Sequence, residues 1–143
     1  MISASREAPL NDADFARLLQ FRNGLRQFLR WSERQAKAAG LTSAQYQLLL
    51  AIRGHDGSPS IGDIADHLLL RHHSAVELVD RAERASLVRR VADGSDLRVV
   101  RLALTDQGEA RLADLASAHI EELSRLRPSF EGLWKHLPNN DGK

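Results

Sequence analysis

The chain has 143 residues, no cysteine, and 20 Lys and Arg against 19 Asp and Glu, for a net charge of +1. That length suits one domain burying about two thirds of the surface its unfolded chain exposes, and the lack of cysteine excludes disulfides, Cys-based zinc sites and thiol redox sensing. So balanced a charge excludes a globally cationic nucleic-acid binder, and any such binding has to rest on a local basic surface.

Met1 to Asn11 carry no periodicity and read as a loose arm. There is neither a basic-then-apolar signal segment nor an apolar run of about 18 residues, so export and membrane insertion are not indicated and a cytoplasmic location is expected. Asn11, Asp12 and Asp14 are cap and first-turn residues for a long helix. Its apolar positions Phe15, Leu18, Leu19, Leu25, Phe28 and Leu29 recur at helical spacing to about Ala39, and Gly40 ends it. Arg17, Arg22, Arg26, Arg30 and Arg34 on the same helix read as a solvated face.

Thr42-Ser43-Ala44-Gln45 has the form of a capping box and opens a second helix through Tyr46, Leu49, Leu50 and Ile52, stopping at Arg53-Gly54. After a turn at His55 to Pro59, Ser60-Ile61-Gly62-Asp63 is a second cap signature. It starts a helix of about two turns with Ile61, Ile64, Ala65 and Leu68 inward. The next helix, roughly Arg71 to Ser86, buries Ala75, Leu78, Val79 and Ala82, so the opposite side presents His73, Glu77, Asp80 and Arg84, flanked by Ser74, Val76 and Arg81. Leu87 to Ala92 and Arg98 to Leu104 are rich in Val and Leu, and Asp93-Gly94 with Ser95 supplies a hairpin turn between them.

Thr105 caps a last long helix, with Asp106 and Glu109 in its first turn. Leu112, Leu115, Ala116, Ile120, Leu123 and Leu126 form its apolar stripe. Pro128 is placed to begin a separate short helix carrying Phe130, Leu133, Trp134 and Leu137, and Pro138 ends it. The tail Asn139 to Lys143 is expected to be disordered.

The fold class that follows is mostly α with a small two- or three-stranded β wing. It is a winged helix-turn-helix over residues 42–104, flanked by dimerisation helices at 12–39 and 105–137, all within one domain spanning 1–143. A winged-helix core needs only about 60 to 70 residues. The outer faces of the terminal helices therefore have too little of their own chain to cover them, and a two-fold homodimer is expected.

Several local patterns carry a family resemblance: L-T-S-A-Q-Y-Q-L-L from Leu41, I-G-D-I-A from Ile61, S-A-V-E-L-V-D-R-A-E from Ser74, S-L-V-R-R from Ser86, Asp96-Leu97-Arg98, and L-T-D-Q-G from Leu104. In this order and at these intervals the chain resembles the MarR family, the multiple-antibiotic-resistance regulators, from about Phe15 to Leu126. The resemblance implies a cytoplasmic dimeric transcription regulator, usually a repressor. Such a protein binds a pseudo-palindromic DNA operator and releases it when a small molecule binds. It also implies that the second helix of the helix-turn-helix enters the major groove and that the wing Arg reaches the minor groove.

A helix entering a major groove leads with its first turn, which places Arg71, His72, His73 and Ser74 at base edges or phosphates and Val76 against a thymine methyl. Glu77 and Asp80 face a polyanion with the wrong sign. The i, i+4 spacings Glu77 to Arg81 and Asp80 to Arg84 are read as ion pairs that hold each Arg along the groove, while Glu77 has the alternative of accepting from cytosine N4. In the wing, Arg98 is the candidate for minor-groove insertion, with Asp96 orienting its guanidinium. Arg89, Arg90 and Arg101 are read either as phosphate contacts or as strand solubility. The sequence departs from the resemblance at Glu77, at Leu97, where a basic residue is implied, and at Ser86, where Gly is implied and the helix end is expected to close differently.

Asp63 and His67, with His72 and His73 nearby, can be drawn as a metal set. Asp63 is already explained as a cap residue and His67 as a helix-surface residue, so no metal and no cofactor is expected. No nucleophile elbow or phosphate-cradling loop occurs, and an enzyme is not indicated. The rival reading is a helical adaptor that binds protein partners and has lost DNA binding, motivated by Glu77 and Asp80. An effector pocket is expected between the dimer helices and the DNA-binding lobe, with aromatic acids the first class to test. Trp31, Arg34 and Trp134 are its candidates, with core or surface packing the alternative and preferred role for each, and no effector residue is assigned.

Overall fold

The computed structural model describes residues 9–138, so the first eight residues of the expected arm and the expected tail at 139–143 lie outside the described residues. The described residues form two compact units, Ser32–Ile120 and a second made of 9–31 with 121–138, and each is taken by itself. The elements in chain order are α1 (Asp12–Ala38), α2 (Ser43–Gly54), α3 (Ile61–Leu68), α4 (His72–Arg84), β1 (Val88–Ala92), β2 (Val100–Leu104) and α5 (Asp106–Trp134). Among the described residues no helix is long and apolar enough to cross a membrane.

The helix starts follow their local chemistry. The Asn11 side chain accepts from Asp14 N–H and the Asp14 carboxylate from Asn11 N–H, both at 3.0 Å. Thr42 with Gln45 and Ser60 with Asp63 close α2 and α3 in the same reciprocal way. Each box satisfies two amides that the helix leaves without internal partners.

Three helix ends turn through a left-handed residue, and only one uses glycine. At α1 it is Gly40 (φ +78°), with Leu41 N–H donating to Ala36 O at 2.9 Å. At α3 it is Leu69 (φ +55°), with Leu70 N–H donating to Ala65 O at 2.9 Å. At α4 it is Ser86 (φ +60°), with Leu87 N–H donating to Ala82 O at 3.0 Å. So α4 closes as a glycine would close it, contrary to the expectation for Ser86. Each non-glycine residue costs about 1 kcal/mol.

The core of the Ser32–Ile120 unit gathers Leu48 and Leu49 of α2, Ile64 of α3, Val79 of α4, Leu102 of β2 and Leu112 of α5. β1 and β2 pair antiparallel, Val88 opposite Leu104 and Ala92 opposite Val100. A third strand is reduced to one bridge, Ser60 to Arg101, with Leu102 N–H donating to Pro59 O at 2.8 Å. That anchors the wing to the start of α3. The hairpin loop is longer than expected: it runs from Asp93 to Val99, with Asp93 N–H donating to Val99 O and Val99 N–H to Asp96 O.

A third correction concerns Pro128, which lies inside α5 rather than starting a separate helix. The proline removes one backbone donor. Helical register nevertheless continues, placing Phe130 and Trp134 edge-on to Phe21 at ring centroid distances of 6.2 and 6.1 Å.

Candidate nucleic-acid interface

α4 owes its position to an apolar line, Ala75, Val79 and Ala82, all fully buried. Helical geometry then fixes what faces away, and His73, Glu77 and Arg84 are exposed on the opposite line. Arg71, His72 and Arg81 are exposed as well, and Ser74 and Val76 half-buried. The structure therefore brings the expected leading residues together at one end of α4. That end differs from the start of α2 or α3. Arg71 is the cap residue and makes no side-chain cap hydrogen bond, so the first amides of α4 carry their partial positive charge with no side chain to take it up.

The acids on α4 are arranged otherwise than their sequence spacing suggests. Asp80 does not pair with Arg84, because Arg90 of β1 reaches back across the helix. Its Nη2 meets Asp80 Oδ1 at 2.7 Å and its Nη1 meets Glu83 Oε1 at 2.6 Å. The Asp80 hydrogen bond, reinforced by the charge of Glu83, raises the Arg90 pKa above its ordinary value against the opposing effect of burial. Among the described residues Glu77, Arg81 and Arg84 form no ion pair. An i, i+4 pair is worth only a few tenths of a kcal/mol, whereas Arg90 offers a two-pronged guanidinium on a strand already fixed by the core.

In the wing, Arg98 has a side chain 90% exposed, and Asp96 orients it. Arg98 Nε donates to Asp96 Oδ1 at 3.1 Å and Nη2 to Oδ2 at 3.3 Å, while the Arg98 backbone N–H shares Oδ1 at 3.0 Å. The guanidinium and then that amide hold the Asp96 carboxyl below its ordinary pKa. Leu97 beside it is 86% exposed.

Arg101 is engaged: Nε and Nη2 both lie 3.1 Å from Asp93 Oδ2, and Nη1 lies 3.8 Å from Asp63. The Ser95 amide and hydroxyl, followed by Arg101, pull the Asp93 pKa down to about 2. Of the three strand arginines only Arg89 is exposed and makes no ion pair among the described residues.

The metal set drawn from sequence is not assembled. Asp63 caps α3, and the Ser60 backbone hydrogen bond is the largest cause of its lowered pKa. His67 is tied to His55, Nε2 to Nδ1, at 2.9 Å. Among the described residues no group of three or more His, Asp or Glu is placed to hold a metal ion.

Sequence reasoning missed a buried polar knot. His119 Nδ1 lies 2.7 Å from Leu115 O, its Nε2 lies 2.7 Å from Ser32 Oγ, and its ring stacks on Tyr46 at 4.5 Å. Since a carbonyl only accepts, Nδ1–H is the donor there, and in that tautomer Nε2 accepts a hydrogen bond from the Ser32 hydroxyl. The signal was the period: His119 falls four residues after Leu115 and seven after Leu112, on the stripe of α5 itself. The effector candidates Trp31 and Trp134 have aromatic neighbours, Trp31 stacking on Phe28 at 6.0 Å and Trp134 meeting Phe21.

Comparison with known proteins adds to this geometry. Residues 39–98 match the family model described as MarR family. The HTH-type transcriptional repressor MdtR of Bacillus subtilis is 28% identical over 60% of this chain and 55% of that protein. The chain thus spans about half the length of the curated relative it matches. A MarR family protein structure from Bacillus stearothermophilus is 25% identical, with a TM-score of 0.69 and 85% of each chain covered. A mutant of S. aureus MepR bound to an oligodeoxyribonucleotide is 20% identical, with a TM-score of 0.64, covering 85% of this chain and 83% of that one. The curated relatives are all named as transcriptional regulators, in agreement with the expectation that the chain is not an enzyme.

Proposed function

We propose that this chain, whose residues 39–98 match the MarR family, is a dimeric, sequence-specific DNA-binding transcriptional regulator. In this reading it is a repressor of a pseudo-palindromic operator, released by a small-molecule effector. The observation that carries the DNA-binding part is the pairing of two exposed cationic features. The uncapped start of α4 presents Arg71, His72 and His73, and the wing presents Arg98, exposed and held in orientation by Asp96. A helix start without a side-chain acceptor suits phosphate, and an exposed, pre-oriented Arg suits a narrow minor groove. Ser74, Val76, Arg81 and Arg84 complete the contact surface, with Arg89 as a phosphate contact.

The name of the matched relative MdtR supports the repressor part, and the oligodeoxyribonucleotide in the MepR structure supports DNA as the ligand of this fold. Exposed apolar side chains on α1 and α5 support the dimer. In the unit made of 9–31 and 121–138, a largely apolar cavity of about 300 Å³ lined by Leu18, Phe21, Leu133 and Trp134 supports a small apolar effector. The adaptor reading rested on two acids, of which Asp80 is now accounted for by Arg90.

Arg98→Ala tests the proposal. Operator affinity in a salt-matched titration is expected to fall at least about tenfold, the worth of one good groove interaction, with melting and association state unchanged. Unaltered affinity removes Arg98 from the interface. Wild-type binding is expected to lose about three to five decades between 50 and 200 mM salt if about 6 to 10 phosphates are neutralised. A flat salt response or no specific retardation removes DNA as the ligand and favours the adaptor.

A further inference from the structure

The residues of α4 opposite its buried line are His73, Glu77 and Arg84, and Glu77 stands between the other two. On the regulator reading this is the line that runs along the floor of the major groove. α4 carries three carboxylates, Glu77, Asp80 and Glu83. Asp80 and Glu83 are both held by Arg90, at 2.7 and 2.6 Å, which shares its single positive charge between them. Glu77 is exposed and has neither a hydrogen bond nor an ion pair among the described residues, although His73 and Arg81 lie one turn away on either side. Among the described residues Glu77 is thus the one carboxylate of α4 with no cationic partner, and it stands at the centre of this face.

An ionised carboxylate only accepts hydrogen bonds. In the major groove guanine offers N7 and O6 and thymine offers O4, all acceptors, while adenine sets its N6 donor beside the N7 acceptor. Cytosine alone of the four bases carries an amino donor, N4, and no acceptor of its own on this edge. A desolvated carboxylate is therefore matched by one base and penalised by the other three. We infer that Glu77 is a specificity-determining residue that requires cytosine at one position of each half-site, an inference that rests on the regulator reading above. Arg81 and Arg84, also without ion pairs, offset its repulsion from the flanking phosphates. Glu77 adds discrimination rather than affinity, because its main effect is to weaken binding to the wrong sequences.

The test is selection from a randomised duplex pool with the full-length protein, Glu77→Ala and Glu77→Gln, all at one salt concentration. Both variants keep the fold, as unchanged melting verifies, since the side chain is exposed and makes no hydrogen bond or ion pair among the described residues. The wild type is expected to enrich cytosine at one position per half-site, where any other base weakens binding about fivefold or more. E77A is expected to recover the same motif with all four bases accepted there, and to bind non-specific DNA at least as tightly as the wild type. E77Q is expected to favour adenine, whose N6 and N7 fit an amide. If both variants enrich the wild-type motif with unchanged base weights, the inference is overturned and the regulator reading stands. A wild-type pool with no enriched sequence overturns the regulator reading itself, and this inference with it.

Discussion

A Cβ on Gly108 would stand 2.1 Å from the carbonyl oxygen of Leu87, so the residue is glycine because backbone passes where a side chain would begin. The approach is fixed from both sides. Thr105 N–H donates to Leu87 O at 3.1 Å, the Thr105 hydroxyl donates to Ser86 O at 2.6 Å, and the same hydroxyl accepts from Gly108 N–H at 3.0 Å. One threonine thus caps α5 and presses its first turn onto the junction between α4 and β1. Gly108→Ala is expected to destabilise the protein by about 3 kcal/mol, the upper end for forcing a methyl into packed structure, because the obstacle is backbone and cannot swing away. Urea denaturation measures it, and a midpoint equal to wild type would mean that the approach is looser than described. Leu69 and Ser86 show the opposite economy. Both hold positive φ without glycine, and both side chains are exposed, so their cost is purely of backbone.

At the scale of elements, what was legible in the sequence was what is local. The boxes at Thr42 and Ser60, the Thr105 cap and the Asp96 hold on Arg98 all join residues two or three apart, and backbone geometry leaves such pairs little choice. What was not legible depended on distant partners. Asp80 chose Arg90, ten residues on, over Arg84, and Pro128 stayed helical while Phe130 and Trp134 pack on Phe21. The same contrast separates the strand arginines functionally. Arg89 is free for a phosphate, whereas Arg90 joins β1 to α4. Arg89→Ala is expected to weaken binding uniformly across sequences and to reduce the salt slope by about 1, since one fewer phosphate is neutralised. Arg90→Met is expected to weaken operator binding with the slope unchanged, because it releases Asp80 and Glu83 to face the DNA. Adding Asp80→Asn and Glu83→Gln to Arg90→Met is then expected to restore most of the affinity. Salt titrations of the variants read both quantities, and a slope change with Arg90→Met would make Arg90 a phosphate ligand after all.

At the scale of the whole molecule the question is what covers the apolar faces. On α1, Phe15, Leu18, Leu19 and Leu29 are each more than half exposed, and on α5 so are Ile120 and Trp134, with Leu123 at half. Single exposed leucines need no explanation, but a run at helical spacing along two helices is more than a stable monomer leaves in water. A second copy is the simplest cover, since a two-fold axis sets the same faces against each other. It also supplies what a pseudo-palindromic operator needs, two α4 helices about 34 to 36 Å apart. The proposed dimer is expected to melt at higher temperature as concentration rises, because association stabilises only the folded state. Leu19→Glu puts a charge into the face without touching the α2 to β2 core. It is expected to yield a folded monomer by sedimentation, with operator affinity reduced to that of one half-site and the salt slope roughly halved. A wild-type chain that sediments as a monomer at micromolar concentration would leave those faces without a partner of their own kind. A Leu19→Glu dimer would instead move the interface away from the α1 stripe.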